Sequence, residues 1–135
     1  EPLVRGASAK VAFNPDHAQG MASSIRVGLA QAPLDARGAL IALADQVAVT
    51  ADDLRQLVSR WEQQPDHIVA AQYDDTIGVP AIFPADLFRE LAELQGDRGA
   101  RVLLSRYPER VIGVPMPSAA QDIDTPGDLS VSTRV

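Results

Sequence analysis

One uninterrupted apolar segment ends directly at a carboxylate. Residues 39–44 are all apolar, and Asp45 follows them at once. A continuous apolar run of this length is typical of a strand covered on both faces, as in a sheet with helices on each side. In open α/β sheets the carboxyl ends of such strands border the ligand crevice. The run therefore predicts a buried strand with Asp45 at that crevice, although an ordinary strand-end aspartate is an equally good interpretation of the residues alone.

Short apolar runs alternate with amphipathic segments along the rest of the chain. Helical spacing of apolar residues predicts helices at 21–31, from Thr50 to Pro65, from Pro84 onward and at 100–107, and strands are predicted at 11–13, 39–44, 68–73, 80–83 and 111–114. This alternation predicts an α/β fold with a mostly parallel sheet. Residues 74–78 are expected to form a loop, and Pro80 indicates an edge strand or a strand start.

Composition narrows the function classes. A chain of 135 residues is expected to be one domain, 1–135. Its net charge of −6 argues against a general nucleic-acid binder, which usually carries a basic face. No apolar run reaches the ~20 residues of a membrane helix, so no membrane partner is expected. The absence of cysteine excludes thiolate metal sites and cysteine nucleophiles, and a cytoplasmic location is the natural expectation.

A second acidic site lies near the other end of the chain. Asp122 and Asp124 flank Ile123, so in an extended segment their side chains point to the same side. A carboxylate brought to the crevice at Asp45 would complete a site for Mg²⁺, which prefers oxygen ligands and substrate phosphates. The alternative is electrostatic, because acidic residues stabilise the start of a helix such as the one predicted at Thr125. Asp124 is the better candidate for a second metal ligand.

Two glycine-containing segments have both a binding and a structural interpretation. Residues 20–24 (Gly-Met-Ala-Ser-Ser) form either a ligand-facing helix start or a plain serine-capped helix. Residues 96–101 (Gly-Asp-Arg-Gly-Ala-Arg) either bring Arg98 or Arg101 near a phosphate or form a turn between two helices. The residues alone leave both alternatives open.

Taken in order, the motifs resemble the MobA-like nucleotidyltransferases, and most closely the molybdenum cofactor cytidylyltransferase branch (MocA-like). The resemblance covers nearly the whole chain and rests on Asn-Pro-Asp at 14–16, the segment 20–29, Leu-Ala-Asp-Gln at 43–46, Gly-Val-Pro-Ala-Ile-Phe at 78–83, the segment 96–101, and Asp-Ile-Asp-Thr-Pro-Gly-Asp-Leu at 122–129. Each motif is weak alone, and the ordered set is specific.

The resemblance implies a fold, a reaction and a set of site residues. The implied fold is a Rossmann-like three-layer sandwich of the nucleotide-diphospho-sugar transferase type. In the implied reaction the phosphate of a pterin-type cofactor attacks the α-phosphorus of a nucleoside triphosphate, with CTP favoured over GTP, and pyrophosphate leaves. The implied catalytic Mg²⁺ ligands are Asp45 and Asp124; the implied nucleotide-binding residues are Gly20, Ser23, Ser24 and Asp45; the implied acceptor-side residues are Gly78, Pro80, Arg98 and Arg101.

The amino-terminal part departs from the family pattern. Members of the family begin with a strand that leads into a glycine-rich triphosphate loop and a lysine, and residues 5–10 do not match it. We therefore expect the carboxyl-terminal two-thirds of the domain, without the first βαβ unit and with an exposed sheet edge. A shortened, inactive member that acts as an oligomerisation or partner-binding module is the alternative, and a homo-oligomer is possible in either case. A receiver-like signalling domain fits less well, because the only lysine is Lys10.

Overall fold

Five strands and four α-helices make up the part of the chain that can be described. The computed structural model describes residues 21–43, 45–96 and 99–120, and the backbone strand at 131–134. The helices are α1 (Met21–Ala30), α2 (Ala51–Gln63), α3 (Phe88–Ala92) and α4 (Arg101–Arg106). The strands are β1 (Gly38–Leu43), β2 (Ile68–Tyr73), β3 (Thr76–Pro84), β4 (Val111–Pro115) and β5 (Val131–Arg134). Short 3-10 helices occur at Ala85–Leu87, Pro108–Arg110 and Pro117–Ala120.

The strands form one mixed sheet in the order β4-β2-β3-β1-β5. Strands β2 and β4 pair in parallel, whereas the β2–β3, β3–β1 and β1–β5 pairs are antiparallel. It follows that β1, β2 and β4 run in one direction, and that β3 and β5 run in the other. The α/β class is confirmed, and the expected parallel arrangement is met only in part because β3 lies between β1 and β2.

Apolar side chains cover both faces of this sheet. Successive residues of β2 alternate between two buried clusters, with Ile68 and Ala70 in one and Val69 and Ala71 in the other, as the period of two in a strand requires. Helices α1, α3 and α4 contribute to the first cluster, and α2 with the 3-10 helix Pro117–Ala120 contributes to the second. The result is the expected three-layer arrangement of helices, sheet and helices.

The turn between β2 and β3 differs from the prediction. The expected loop at 74–78 is a two-residue turn, and β3 already begins at Thr76. Asp74 and Asp75 adopt positive φ angles of 50° and 58°. Two-residue hairpin turns of type I′ require such angles at both central residues, where Asn-Gly is the usual sequence. The Asp-Asp sequence therefore conceals a hairpin from sequence analysis.

Pro80 lies inside the sheet rather than at an edge or a strand start. The β2–β3 register shifts here, because Ala70 pairs with Ala81 while Ala71 pairs with Gly78. Val79 and Pro80 consequently have no partner on β2. A bulge of this kind tolerates proline, which has no N–H to donate to a ladder. The Val79–Pro80 peptide bond is cis.

The remaining elements follow the sequence closely. The helix expected from Thr50 is α2, and Thr50 and Asp53 form a reciprocal capping box at its start. The helix expected from Pro84 begins as the 3-10 turn Ala85–Leu87 before α3. Strand β1 is flanked by β3 and β5, and the exposed edge expected beside the missing first strand stays a prediction. The predicted strand at 11–13 and the helical turn at Thr125 lie outside the described residues.

Within the described part of the chain, every helix is too short or too polar to cross a membrane.

Candidate functional site

One edge of the sheet collects the ends of three strands. Because β1, β2 and β4 share a direction, their last residues Leu43, Tyr73 and Pro115 lie at the same edge, where β3 also begins. Asp45 follows β1 at this edge and is only 6% exposed. The strand end predicted from residues 39–44 therefore delivers its carboxylate to a site where neighbouring strands also end.

The carboxylate of Asp45 is incompletely satisfied. Its Oδ1 is buried and has no hydrogen-bond partner among the described residues. A buried, unpaired polar oxygen costs roughly 1–3 kcal/mol. A hard divalent cation is the kind of group that binds such an oxygen, so the donor chemistry at Asp45 fits a metal ion. Among the residues described, no cluster of three or more histidine, aspartate or glutamate side chains surrounds a common point.

Gln46 holds in place the turn that contains Asp45. Its Nε2 donates to the carbonyl oxygens of Val79 and Ala119, both at 2.9 Å. Its Oε1 accepts from the backbone N–H of Leu43 at 3.3 Å. The carbonyl of Val79 lies at the β2–β3 bulge, which explains how it can accept a side-chain donor. One buried amide thus joins the end of β1 to β3 and to the 3-10 helix after β4.

The 3-10 helix Pro117–Ala120 is held from a second side. The hydroxyl of Ser118 donates to Asp53 Oδ2 at 2.8 Å, and the backbone N–H of Thr50 donates to the same oxygen at 3.0 Å. These donors, the Thr50 N–H first and the Ser118 hydroxyl second, lower the pKa of Asp53. The start of α2 therefore binds Ser118, and Gln46 binds the adjacent residue Ala119.

The segments at 20–24 and 96–101 lie against each other. The backbone N–H of Ala22 donates to the carbonyl oxygen of Gly96 at 3.1 Å. A Cβ placed on Gly99 would lie 2.7 Å from Met21 Sδ, so the chain passes closely over the first turn of α1. Ser23 in that turn is buried and Ser24 is half-buried. The structure thus joins one segment expected on the nucleotide side to another expected on the acceptor side.

Two of the expected acceptor-side residues also meet. A Cβ placed on Gly78 would lie 2.6 Å from Nη2 of Arg101, so the guanidinium lies directly over that glycine. The neighbouring residue Val79 is the one that accepts from Gln46. Gly78, Pro80 and Arg101 therefore gather near the strand end that carries Asp45.

Three of the predicted site residues, Gly20, Arg98 and Asp124, lie outside the described residues, and so does the neighbouring Asp122. The pairing of Asp45 with Asp124 therefore stays a prediction. Sequence analysis missed Tyr73, whose hydroxyl oxygen would lie 2.9 Å from a Cβ placed on Gly78. It also assigned no role to Gln46. Gln46 follows the candidate aspartate, and Tyr73 ends a predicted strand, so both had a positional signal.

The comparisons with known proteins agree with one another. The family model that matches residues 1–111 is the MobA-like NTP transferase domain. Among curated proteins, none matches the chain.

Mycobacterial crystal structures resemble the chain in both fold and sequence. Rv0371c from Mycobacterium tuberculosis H37Rv is 34% identical with a TM-score of 0.63, over 80% of this chain and 56% of that one. Its homolog from Mycobacterium sp. strain JC1 is 25% identical with a TM-score of 0.63, over 81% and 54%. A structure of Rv0371c in complex with manganese is 32% identical with a TM-score of 0.57, over 77% and 56%.

The chain thus spans little more than half the length of these solved relatives. Over the shared part, the likeness confirms the expected nucleotidyltransferase type of α/β fold. Since the family model covers most of the chain and the solved structures match it in fold and sequence, the chain belongs to the MobA-like NTP transferase family.

Proposed function

We propose that this chain belongs to a Mg²⁺-dependent nucleotidyltransferase, with Asp45 as a metal ligand. The observation that carries the proposal is the buried Oδ1 of Asp45, which lacks a partner among the described residues at the edge where three strands end. The manganese complex of Rv0371c adds weight, since Mn²⁺ and Mg²⁺ share a preference for oxygen ligands. Asp124 is the proposed second ligand.

The proposed reaction transfers a nucleoside monophosphate from CTP, in preference to GTP, to the phosphate of a pterin-type acceptor. An acceptor phosphate oxygen forms a bond to the α-phosphorus, and the bond from that phosphorus to the pyrophosphate oxygen breaks. When bound, the metal supplies positive charge that offsets the charge of the triphosphate. Chemistry of this kind depends on positioning and charge neutralisation, so the chain needs no nucleophile of its own.

The chain's residues have separate tasks in this proposal. Asp45 contributes a carboxylate oxygen, and Gln46 holds the turn so that this oxygen stays in place. The proposal assigns Gly20, Ser23 and Ser24 to nucleotide binding, and Gly78, Pro80, Arg98 and Arg101 to acceptor binding. The hydrogen bond from Ala22 to Gly96 links the two sides and is consistent with one continuous site.

Calorimetric titration of the chain with CTP and with GTP, each with Mg²⁺, tests this function. We expect saturable binding of CTP, weaker binding of GTP, and loss of binding in Asp45→Asn. Asp52→Asn is the matched control, because Asp52 is an exposed carboxylate in the first turn of α2. Equal CTP binding by wild type and Asp45→Asn would overturn the metal assignment. Absence of any nucleotide binding would favour the non-catalytic partner-binding module.

A further inference from the structure

The space above Gly78 holds two polar groups from different elements. A Cβ placed on this glycine would lie 2.6 Å from Nη2 and 3.5 Å from Cζ of Arg101, and 2.9 Å from the hydroxyl oxygen of Tyr73. Tyr73 ends β2, Gly78 lies in β3 and Arg101 begins α4. The guanidinium and the phenol hydroxyl are therefore neighbours over a backbone position that carries no side chain.

Neither polar group has an acceptor within the described residues. Most other arginines there are engaged: Arg55, Arg106 and Arg110 form ion pairs with carboxylates, and Arg26 donates to a backbone carbonyl. Tyr107, the other tyrosine, donates to Glu90. Arg101 and Tyr73 have no such bond inside the described ranges. Together they present a positive charge and several donors, with no counter-ion among the described residues.

The chemistry of this pair favours a phosphate. A planar guanidinium binds phosphate oxygens through two parallel hydrogen bonds, and a phenol hydroxyl supplies a further donor. The missing side chain at Gly78 lets the guanidinium and the hydroxyl approach the same point, so both donors can reach one anion. Since Val79 follows Gly78 and accepts from Gln46, the pair lies near the turn that carries Asp45.

We propose that Arg101 and Tyr73 bind the phosphomonoester group of the acceptor, without the metal, where the two side chains meet beside Gly78. This inference rests on the proposed function for the identity of the acceptor, and it adds a metal-independent phosphate subsite on the acceptor side. The metal-independent phosphate subsite consists of Arg101, Tyr73 and Gly78, whereas Asp45 binds the nucleotide through the metal ion.

The first test is an NMR titration of the ¹⁵N-labelled chain with inorganic phosphate, in metal-free buffer at constant ionic strength. We expect saturable shifts at the Gly78 amide and the Arg101 Nε–H. Arg101→Gln should weaken phosphate binding about tenfold or more, since a hydrogen bond between charged groups is worth that much. Arg89→Gln is the matched control, because Arg89 is exposed on α3 and forms no ion pair within the described residues.

A second pair of variants separates geometry from charge. Gly78→Ala adds a methyl group where the guanidinium now lies, so it should abolish phosphate binding although the arginine is still present. The displaced group is the flexible end of a side chain, so this variant is expected to stay folded. Tyr73→Phe removes only the hydroxyl and should weaken phosphate binding several-fold. Unchanged phosphate affinity in Arg101→Gln or in Gly78→Ala would overturn the proposal.

Titration with Mg-CTP distinguishes the two possible sources of the phosphate. If the site serves the acceptor, Arg101→Gln binds Mg-CTP as wild type does, and Asp45→Asn still binds inorganic phosphate. If Arg101→Gln weakens Mg-CTP and phosphate equally, the site serves the triphosphate and the acceptor assignment is wrong. Phosphate binding without any nucleotide binding would contradict the proposed function and leave this site standing.

Discussion

Gln46 Nε2 donates to the carbonyl oxygen of Val79 across the sheet edge at 2.9 Å. This bond links the turn after β1 to the bulge in β3, and the same nitrogen also reaches Ala119. The residue after Asp45, the candidate metal ligand, is therefore held in place by two other segments. Its position depends on long-range hydrogen bonds and not only on the turn itself.

Removal of the Gln46 side-chain amide should lower the stability of the fold. Gln46→Ala leaves two carbonyls and one N–H without their partner, so we expect the free energy of unfolding to fall by about 2–3 kcal/mol in a urea titration. Gln46→Glu keeps the size but places a carboxylate against two carbonyl oxygens, and it should be at least as harmful. Gln56→Ala, on the exposed face of α2, is the control. If Gln46→Ala were as stable as the control, the hydrogen bonds of Gln46 would contribute nothing to the stability of the fold.

The capping box should make stability depend on pH in the acid range. The Thr50 N–H and the Ser118 hydroxyl lower the folded-state pKa of Asp53 below its ordinary value of 3.8. A lowered folded-state pKa stabilises the protein above the unfolded-state pKa, and this contribution is lost as the pH falls through the folded-state pKa. Asp53→Asn should therefore flatten the pH dependence of stability below about pH 4. Thermal unfolding from pH 3 to pH 7 measures it, and identical slopes in the two proteins would contradict the assignment.

Loss of the capping hydroxyl should be visible at neutral pH. Thr50 Oγ1 accepts from the backbone N–H of Asp53 at 3.1 Å. We expect Thr50→Ala to lower the free energy of unfolding by about 1 kcal/mol and Thr50→Ser to restore most of it. Failure of serine to restore stability would indicate that the methyl group, and not the hydroxyl, is what matters.

The turn between β2 and β3 has room for improvement. Asp74 and Asp75 both occupy the left-handed region, where aspartate is tolerated and glycine is preferred. Replacement of the pair by Asn-Gly should raise the unfolding free energy by up to about 1 kcal/mol. Calorimetric melting of the double variant checks this, and a lower melting temperature would mean that the aspartates make compensating contacts.

Most helices and strands can be predicted from the spacing of apolar residues, whereas the tertiary contacts cannot. Residues 39–44 and 68–73 identify buried strands because both faces of each strand are covered, and Thr50 with Asp53 identifies a helix start from local chemistry. The hairpin at Asp74 and the internal Pro80 escape prediction, because each depends on a turn or a register shift that a neighbouring strand supports.

The candidate site shows the same division. Asp45 is predictable because it directly follows a buried strand. The roles of Gln46 and Tyr73 depend on which strand ends lie side by side, and β3 comes between β1 and β2 only once the whole sheet is formed. The local sequence does not indicate the order of the strands in the sheet.

The most direct test of the account is a titration of the chain with Mn²⁺ in the presence of CTP, followed by the loss of the free Mn²⁺ signal in electron paramagnetic resonance. Wild type and Asp52→Asn should bind the ion equally, and Asp45→Asn should bind it about tenfold more weakly or not at all. Equal binding by Asp45→Asn and wild type, or no binding by wild type, would contradict the assignment of Asp45 as a metal ligand.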